Sequence, residues 1–437
     1  DLKTEMLELW EELNNTEVFD DIFWEYCKYR TKNLIVKHST RLSKERNHKI
    51  NDIKHRLRLL LSENNNMYSK DIDNLKIQLS NLLEQKFAGK KIRSKILYLD
   101  NNEKVTKFFT QQENNRSQKK LLTMLKTKVE LTDINDILNE VHKFYTDLYG
   151  FEKIDQEKAD HFLSDLPRLD EQSKELCEGS ITKEECLHAI KHMQNLKSPG
   201  CDGLPAEFYK IFFHLFGDSF VKVANFIFDR GLLSESQRMG IISLLCKNPK
   251  ESELLKNWRP ISLLNVDYKI LSKALTNRLS KVMAKLIHID QTCAVPGRSI
   301  HDNVHLLRNI LDFVDERDMG CALVTLDQMK AFDRVSHDFL FQLLSAYNFG
   351  PEFRKWISIL YNDISSMVMV NGFFTEPISI KRSVRQGCSI SPLLYVLYVE
   401  PFARKIREEQ LIKGLKLPGI NDQIKISQYA DDTTIVV

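Results

Sequence analysis

The stretch Gln428-Tyr429-Ala430-Asp431-Asp432-Thr433 decides the fold of this chain, and the remaining residues take their meaning from it. Ile424-Lys425-Ile426-Ser427 precede it and Thr434-Ile435-Val436-Val437 follow it. Both flanks are rich in β-branched residues, which predicts a β-hairpin around a tight acidic turn. Asp-Asp is often no more than turn chemistry. Adjacent carboxylates nevertheless repel and raise each other's pKa, and a bound divalent cation reverses that effect.

Upstream, Gly320-Cys321-Ala322-Leu323-Val324-Thr325-Leu326 reads as an apolar strand that delivers Asp327 at its C-terminal edge. The turn Gln328-Met329-Lys330 and a helix Ala331-Phe332-Asp333-Arg334-Val335 follow. A carboxylate at a strand end is commonly a cap. If this strand neighbours the hairpin, however, Asp327 and Asp431 converge on one point. Two divalent ions roughly 3.5–4 Å apart, bridged by such carboxylates, can activate an attacking hydroxyl and stabilise a leaving pyrophosphate. Mg²⁺ suits the donors, because it prefers few carboxylates plus substrate phosphates. Between the acids lies Ser383-Val384-Arg385-Gln386-Gly387-Cys388-Ser389-Ile390-Ser391-Pro392. Gly387 permits a backbone turn and leaves room for a flat base. Ser391 is expected to cap a buried helix with Pro392 at its first position.

The 437 residues suggest roughly two to four domains. Hydrophobic content of 42% with 28% charged residues fits a globular chain with an ample core. Net charge of +3 does not by itself mark a nucleic-acid binder. The distribution says more. Lys28, Arg30, Lys32, Lys37, Arg41, Lys44, Arg46, Lys49, Lys54, Arg56 and Arg58 face only Glu45 and Asp52 in one interval. Such a stripe can neutralise phosphates, or it can be a solvated helix face. The scattered cysteines have no Cys-x-x-Cys pair and no nearby His spacing, which fits reduced intracellular thiols rather than a disulfide framework or a zinc site. No apolar run approaches ~20 residues, so no membrane span is expected. The chain opens at Asp1 and stops on an apolar strand, and it reads as a segment of a longer polypeptide.

Apolar spacing predicts long helices in the first part of the chain, through Trp10, Leu13, Val18, Phe23 and Cys27, then Ile50, Ile53, Leu57 and Leu60, then Ile72, Leu75, Leu79 and Leu82. Asn64-Asn65-Asn66 should turn the last two into an antiparallel pair. Lys104, Lys107, Phe108, Phe109, Arg116, Lys119 and Lys120 interleave charge with aromatic faces, as single-stranded nucleic-acid surfaces do. A helix is expected from Thr132 through Tyr145, a linker around Leu166–Glu178, and a Thr182/Glu185 capping box. Further helices are expected over Ala206–Phe216, Phe220–Arg230 and Tyr268–Ile287, the last with Lys269, Lys273, Arg278, Lys281 and Lys285 on its polar side. Gly240–Lys247 and Asn257–Leu264 read as strands.

The order Leu326-Asp327…Ala331-Phe332-Asp333, then Arg385–Pro392, then Tyr429-Ala430-Asp431-Asp432 resembles motifs A, B and C of reverse transcriptases. Lys197-Ser198-Pro199-Gly200-Cys201-Asp202-Gly203-Leu204-Pro205-Ala206-Glu207-Phe208-Tyr209 and Asn257-Trp258-Arg259-Pro260-Ile261-Ser262-Leu263-Leu264-Asn265 look like LINE-type, non-LTR retrotransposon polymerases. Pro296-Gly297-Arg298-Ser299-Ile300-His301-Asp302-Asn303 is similar to another fingers motif of that family. The resemblance covers Lys197–Val437 most strongly, and Trp24–Tyr149 more weakly.

The resemblance implies an α+β fold of right-hand polymerase fingers and palm, preceded by a helical N-terminal extension and with the thumb absent. The expected divisions are a helical linker over 1–100, an RNA-binding extension over 101–180, fingers over 181–318 and an incomplete palm over 319–437. It implies RNA-directed DNA synthesis by two-metal nucleotidyl transfer with two Mg²⁺ ions held by Asp327, Asp431 and Asp432. Phe332 matches the family's steric gate against a ribose 2′-hydroxyl. Lys247 and Arg259 match the pair that holds the incoming triphosphate, and Gln386 and Gly387 line the nucleotide. Lys197 and Arg298 match template contacts. Met329 departs from the family's usual acidic residue at a position that is not a metal ligand. The implied partners are template RNA, a DNA primer or nicked target DNA, and deoxynucleoside triphosphates, with no membrane. The endonuclease and thumb regions of a full-length polyprotein are implied as well. Work in the nucleus, with a cytoplasmic ribonucleoprotein phase, is implied by target priming. A catalytically silent RNA-binding remnant and a group II intron maturase-like enzyme are the alternatives. The motifs at 197–209 and 257–265 favour the LINE type over the maturase.

Overall fold

A computed structural model describes residues 1–62, 69–94, 121–127, 129–418 and 422–437. The chain divides into two compact units. The first comprises 1–9, 29–132 and 245–258, and the second 10–28, 133–244 and 259–437.

Helices α1 (Leu2–Asn14), α2 (Asp21–Ser62) and α3 (Ser69–Ser94) open the chain. The expected helical run through Val18 is interrupted between Asn14 and Asp21, and Val18 is exposed. Asp20 restarts the helix by accepting the Phe23 N–H at 2.7 Å. Within the first unit, Lys86 donates to Asn47 at 2.9 Å, which ties α3 to α2 as an antiparallel pair requires. The Asn64–Asn66 break and the interleaved stretch 104–120 lie outside the described residues. A short hairpin joins β1 (Leu125–Lys126) to β2 (Glu130–Leu131), and Lys126 N–H donates to the Glu253 carbonyl at 2.9 Å.

The second unit is built on two sheets and a helical core. Helix α4 (Ile134–Tyr149) begins two residues later than expected, because Asp133 caps it, accepting from Asn135 and Asp136. Helix α5 (Gln156–Leu163) follows. The expected linker contains a one-turn helix, α6 (Glu171–Glu175), started by Asp170. The Thr182/Glu185 capping box is present and begins α7 (Lys183–Lys191).

Instead of two helices, Ala206–Arg230 forms one continuous helix, α8. Gly217 is accommodated in its interior because Phe213 and Lys183 crowd the space that a Cβ would fill. Phe208, Phe212, Phe213, Phe216 and Phe220 of α8 are buried, with Trp10 stacked on Phe216 at 4.6 Å. Helix α8 is long and apolar enough to pass as a membrane span by length and composition alone, a property that buried core helices share. Its buried aromatic face makes it the core of this unit.

The larger sheet has the order β4–β3–β6–β7, with β8 also on β6. Its strands are β3 (Met239–Cys246), β4 (Trp258–Leu263), β6 (Ser365–Val370), β7 (Phe373–Phe374) and β8 (Ile378–Ser379). It is not wholly antiparallel, because β3 runs parallel to β6 from Met239↔Ser365 to Ser243↔Met369. The long crossover between them makes that geometry available. The smaller sheet is antiparallel, in the order β5 (Leu323–Leu326), β10 (Asp432–Val436), β9 (Ile426–Tyr429).

The predicted 268–287 helix is α9 (Val266–Ser280) and the short α10 (Met283–Leu286). Arg278 is not on a polar side. It is buried, paired with Glu185 at 2.6 Å, and donates to the carbonyls of Gly179 and Ser180. Helices α11 (Ile300–Glu316), α12 (His337–Ala346), α13 (Pro351–Tyr361) and α14 (Ser391–Glu408) complete the unit. Ser391 is already inside α14. Ile390 stands at its N-cap with no side-chain cap, so the expected serine cap is absent. No two of the eight cysteines are joined by a disulfide.

Candidate functional site

The small sheet brings the distant acids together. Strand β10 pairs with β5 through Thr433↔Leu326, Thr434↔Thr325 and Ile435↔Val324. The residues next along each strand from the Thr433↔Leu326 pair are Asp432 and Asp327. Asp432 also pairs with Tyr429, so Ala430 and Asp431 form the two-residue turn. Asp327 and Asp432 are exposed and Asp431 is half-buried.

The turn needs outside support, because Ala430 has φ +54°, a left-handed conformation disfavoured for a residue with a Cβ. Gln291, fully buried, supplies the support. Its carbonyl oxygen accepts the Ala430 N–H at 3.0 Å, and its amide donates to the Ala430 carbonyl at 3.3 Å. Asn303 donates to the Gln428 carbonyl at 2.9 Å, and Thr292 N–H donates to the same oxygen at 3.1 Å. Sequence reasoning missed Gln291. The only available signal was its position just before the Pro296–Asn303 motif.

Motif A continues as a 3₁₀ turn over Ala331–Arg334 rather than an α-helix, entered through Lys330 at φ +56°. Phe332 stacks on Tyr395 of α14 with centroids 4.5 Å apart and planes 14° from parallel. The Tyr395 hydroxyl donates to Gln328 at 2.8 Å. Burial, and then the negative charge of Asp431, push the Tyr395 pKa well above its usual value, so it remains a neutral donor. Burial and the same carboxylate also raise the Cys293 thiol.

The Gln386 amide donates to both oxygens of buried Asp333 at 3.2 Å. Its backbone carbonyl accepts from Ser262 of β4 at 2.7 Å. Gly387 has φ +118°, and a Cβ there would lie 2.5 Å from the Ser262 carbonyl. Glycine is therefore required by the close approach of β4 to this loop, a reason that sequence reading did not supply. Arg385 is fully buried and donates to the Arg238 carbonyl at 2.6 Å.

The remaining sequence candidates are placed differently. Arg259 is exposed on β4. Lys247, in the first unit, is exposed, and its N–H donates to the Asn257 carbonyl at 2.8 Å. Lys197 is exposed. Arg298 is half-buried, and its guanidinium is engaged by the carbonyls of Ile287 (3.0 Å), His288 (2.5 Å) and Gln291 (2.9 Å). It thereby braces the segment that carries Gln291. Gly200 packs so closely on Asn265 that no Cβ would fit, which docks the 197–209 motif onto the 257–265 motif. Lys28, counted in the basic stripe, is buried and paired with Asp267 at 3.0 Å.

Residues 247–437 match the family described as reverse transcriptase (RNA-dependent DNA polymerase). Residues 247–437, with their mixed helix and sheet, thus form a reverse transcriptase domain. The chain is 35% identical over 423 residues to the "Transposon TX1 uncharacterized 149 kDa protein" of Xenopus laevis, covering 95% of this chain and 32% of that protein. It is 29% identical over 228 residues to the "Probable RNA-directed DNA polymerase from transposon BS" of Drosophila melanogaster, covering 50% and 24%. It is 23% identical over 267 residues to the "RNA-directed DNA polymerase from mobile element jockey" of the same species, covering 59% and 27%. These similarities mark residues 247–437 as a reverse transcriptase domain of the LINE-type, non-LTR kind, in a chain that spans between about a quarter and a third of the length of these relatives.

Reverse transcriptases work with divalent metal ions. Among the described residues, no group of three or more His, Cys, Asp or Glu side chains is gathered closely enough to hold a metal by itself. Asp327, Asp431 and Asp432 nevertheless offer the oxygen donors that suit a hard cation taking its remaining ligands from substrate phosphates and water.

Proposed function

We propose that this chain carries out RNA-templated synthesis of DNA, with Asp327, Asp431 and Asp432 as the carboxylates that hold two Mg²⁺ ions. The observation that supports this reading is the β5–β10 pairing, in which Leu326, next to Asp327, faces Thr433, next to Asp432, with both acids exposed. Bound there, the cations would supply Lewis-acid activation of a primer 3′-hydroxyl and offset charge on the departing pyrophosphate.

The chain's own residues do the selecting. Phe332, held flat by Tyr395, presents an aromatic edge that excludes a ribose 2′-hydroxyl. Gln386 and Gly387 line the nucleotide from a loop pinned to β4. Arg259 binds triphosphate oxygens bidentately. Lys197 contacts template backbone, whereas Arg298 serves the template through the segment it braces. The chain reads as fingers over 181–318 and palm over 319–437. The extension before them meets RNA through phosphates, 2′-hydroxyls and shape. Priming from nicked target DNA in the nucleus completes the proposal, together with a cytoplasmic ribonucleoprotein phase and the polyprotein's endonuclease and thumb.

The test is primer extension by the full-length protein on an RNA template. Asp327→Ala should abolish extension and leave RNA affinity within a few-fold. Extension that persists would overturn the carboxylate assignment. RNA binding without extension in the unsubstituted protein would favour a silent remnant.

A further inference from the structure

The Gln386 amide is aimed by a carboxylate that no motif role explains. Asp333 follows the proposed gate Phe332 directly, is 2% exposed, and accepts from Gln386 at both oxygens, 3.2 Å each. A second donor reaches it from another element. The hydroxyl of Tyr149, the last residue of α4, donates to Asp333 Oδ1 at 3.4 Å. Burial, and then the charge of Asp333, raise the Tyr149 pKa well above its usual value, so the hydroxyl keeps its proton and donates.

Three segments meet at this carboxylate, and backbone bonds hold each in place. Val384 N–H donates to the Phe332 carbonyl at 2.9 Å and Ser383 N–H to the Val335 carbonyl at 2.8 Å. Lys381 N–H donates to the Tyr149 carbonyl at 2.9 Å, and the Arg382 guanidinium donates to the Leu148 carbonyl at 2.8 Å. The end of α4, the gate turn and the loop of Gln386 therefore cannot shift independently. A buried carboxylate at such a junction must have its lone pairs occupied, so its acceptors dictate where the donors sit.

We infer that Asp333 is a positioning residue for nucleotide selection: it fixes the Gln386 amide relative to Phe332, and Tyr149 links α4 to that setting. The inference rests on the proposed roles of Phe332 and Gln386. It makes the N-terminal extension part of the specificity apparatus as well as a surface for RNA. Loosening Asp333 would disorder the nucleotide's contacts while the acids at 327, 431 and 432 stay where they are.

Single-nucleotide extension by the full-length protein tests this, comparing deoxynucleotide with ribonucleotide for Asp333→Ala, Gln386→Ala and the double variant. Asp333→Ala should raise KM for the deoxynucleotide about tenfold, the cost of a misdirected hydrogen bond, with kcat changed much less. It should also narrow sugar discrimination. The double variant should be no worse than Gln386→Ala, because the two act as one unit. Asp333→Asn, which keeps one acceptor, should restore part of the loss. Tyr149→Phe, which removes only the hydroxyl, should raise KM by about two- to threefold.

Additive losses in the double variant would overturn the inference, as would an Asp333→Ala protein with reduced thermal stability but unchanged KM. Should Asp333→Ala fail to fold, the cycle of Tyr149→Phe with Gln386→Ala decides the matter in the same way. If extension is absent even without substitution, deoxynucleotide affinity on a dideoxy-terminated primer–template reads the same cycle. Asp327→Ala separates the two levels. If it fails to abolish extension, the site reading falls; if it abolishes extension while the cycle is additive, only this inference falls.

Discussion

Asp267 and Asp327 are the same side chain in one compact unit, handled in opposite ways. Asp267 is fully buried and accepts from Trp24 at 2.8 Å, Lys28 at 3.0 Å, Gln237 at 3.2 Å and its neighbour's backbone N–H at 2.7 Å. Burial alone would lower the Lys28 pKa, but Asp267, Glu25 and Asp202 outweigh it and raise it. Asp327 is exposed, and no hydrogen bond or ion pair engages its side chain among the described residues. A carboxylate that holds a fold together has its lone pairs filled by the fold. One that does chemistry keeps them open for a substrate and its cations. Carboxylates alike in sequence are separated here by the partners that folding brings to them.

The largest effect that could break this contrast is on stability. Asp267→Ala leaves Lys28 with Glu25 as its remaining ion-pair partner and removes the buried acceptor of Trp24 and Gln237, and should cost about 3–5 kcal/mol, whereas Asp327→Ala should shift stability by less than about 0.5 kcal/mol. Urea unfolding of both variants checks this, and equal losses would erase the distinction. Phe332→Ala comes next. It should admit ribonucleotides with roughly tenfold or greater loss of sugar discrimination, and unchanged selectivity would remove the gate.

A smaller effect depends on pH. Asp202 is pushed up to about 7 by burial, then by the charge of Asp267, with Lys28 opposing and Glu25 adding to the rise. One of its oxygens, Oδ2, is buried without a hydrogen-bond partner. Below the usual carboxylate range both folded and unfolded states are protonated, and the group costs nothing. As pH rises toward 7 the unfolded state ionises first, so stability is lost across that window. Asp202→Asn should therefore gain about 1–2 kcal/mol at pH 8 and almost nothing at pH 4. A gain that does not vary with pH would contradict the assignment. The smallest effect concerns the first unit. Neutralising Lys44, Arg46 and Lys49 together should lower the slope of log affinity for RNA against log salt by up to about 2. An unaltered slope would return the stripe to a solvated helix face.

The acidic hairpin was legible because β-branched flanks and a turn are local signals, and so was the Thr182/Glu185 capping box. The pairing of β5 with β10 was conditional in the sequence, since nothing local to Leu323–Leu326 names its neighbour. What sequence could not give was burial. Lys28 and Arg278 carry the same charge as the other basic residues along α2 and α9, and only tertiary packing buries them. Residues 217–219 read as a gap between two helices, yet close packing at Gly217 goes with a continuous α8. Gln291 and Asp333 are polar residues with no spacing signature, and their importance comes from the backbone and side-chain groups they meet.

The convergence of Asp327 with Asp431 and Asp432 is tested most directly by letting Fe²⁺ replace Mg²⁺ in a complex with primer–template and a deoxynucleotide, then adding peroxide and ascorbate. Radicals released at the metal cut nearby backbone. Cleavage at both 327 and 430–432, lost together in Asp327→Ala, is the expected result. Cutting at one of these segments without the other would contradict a shared site.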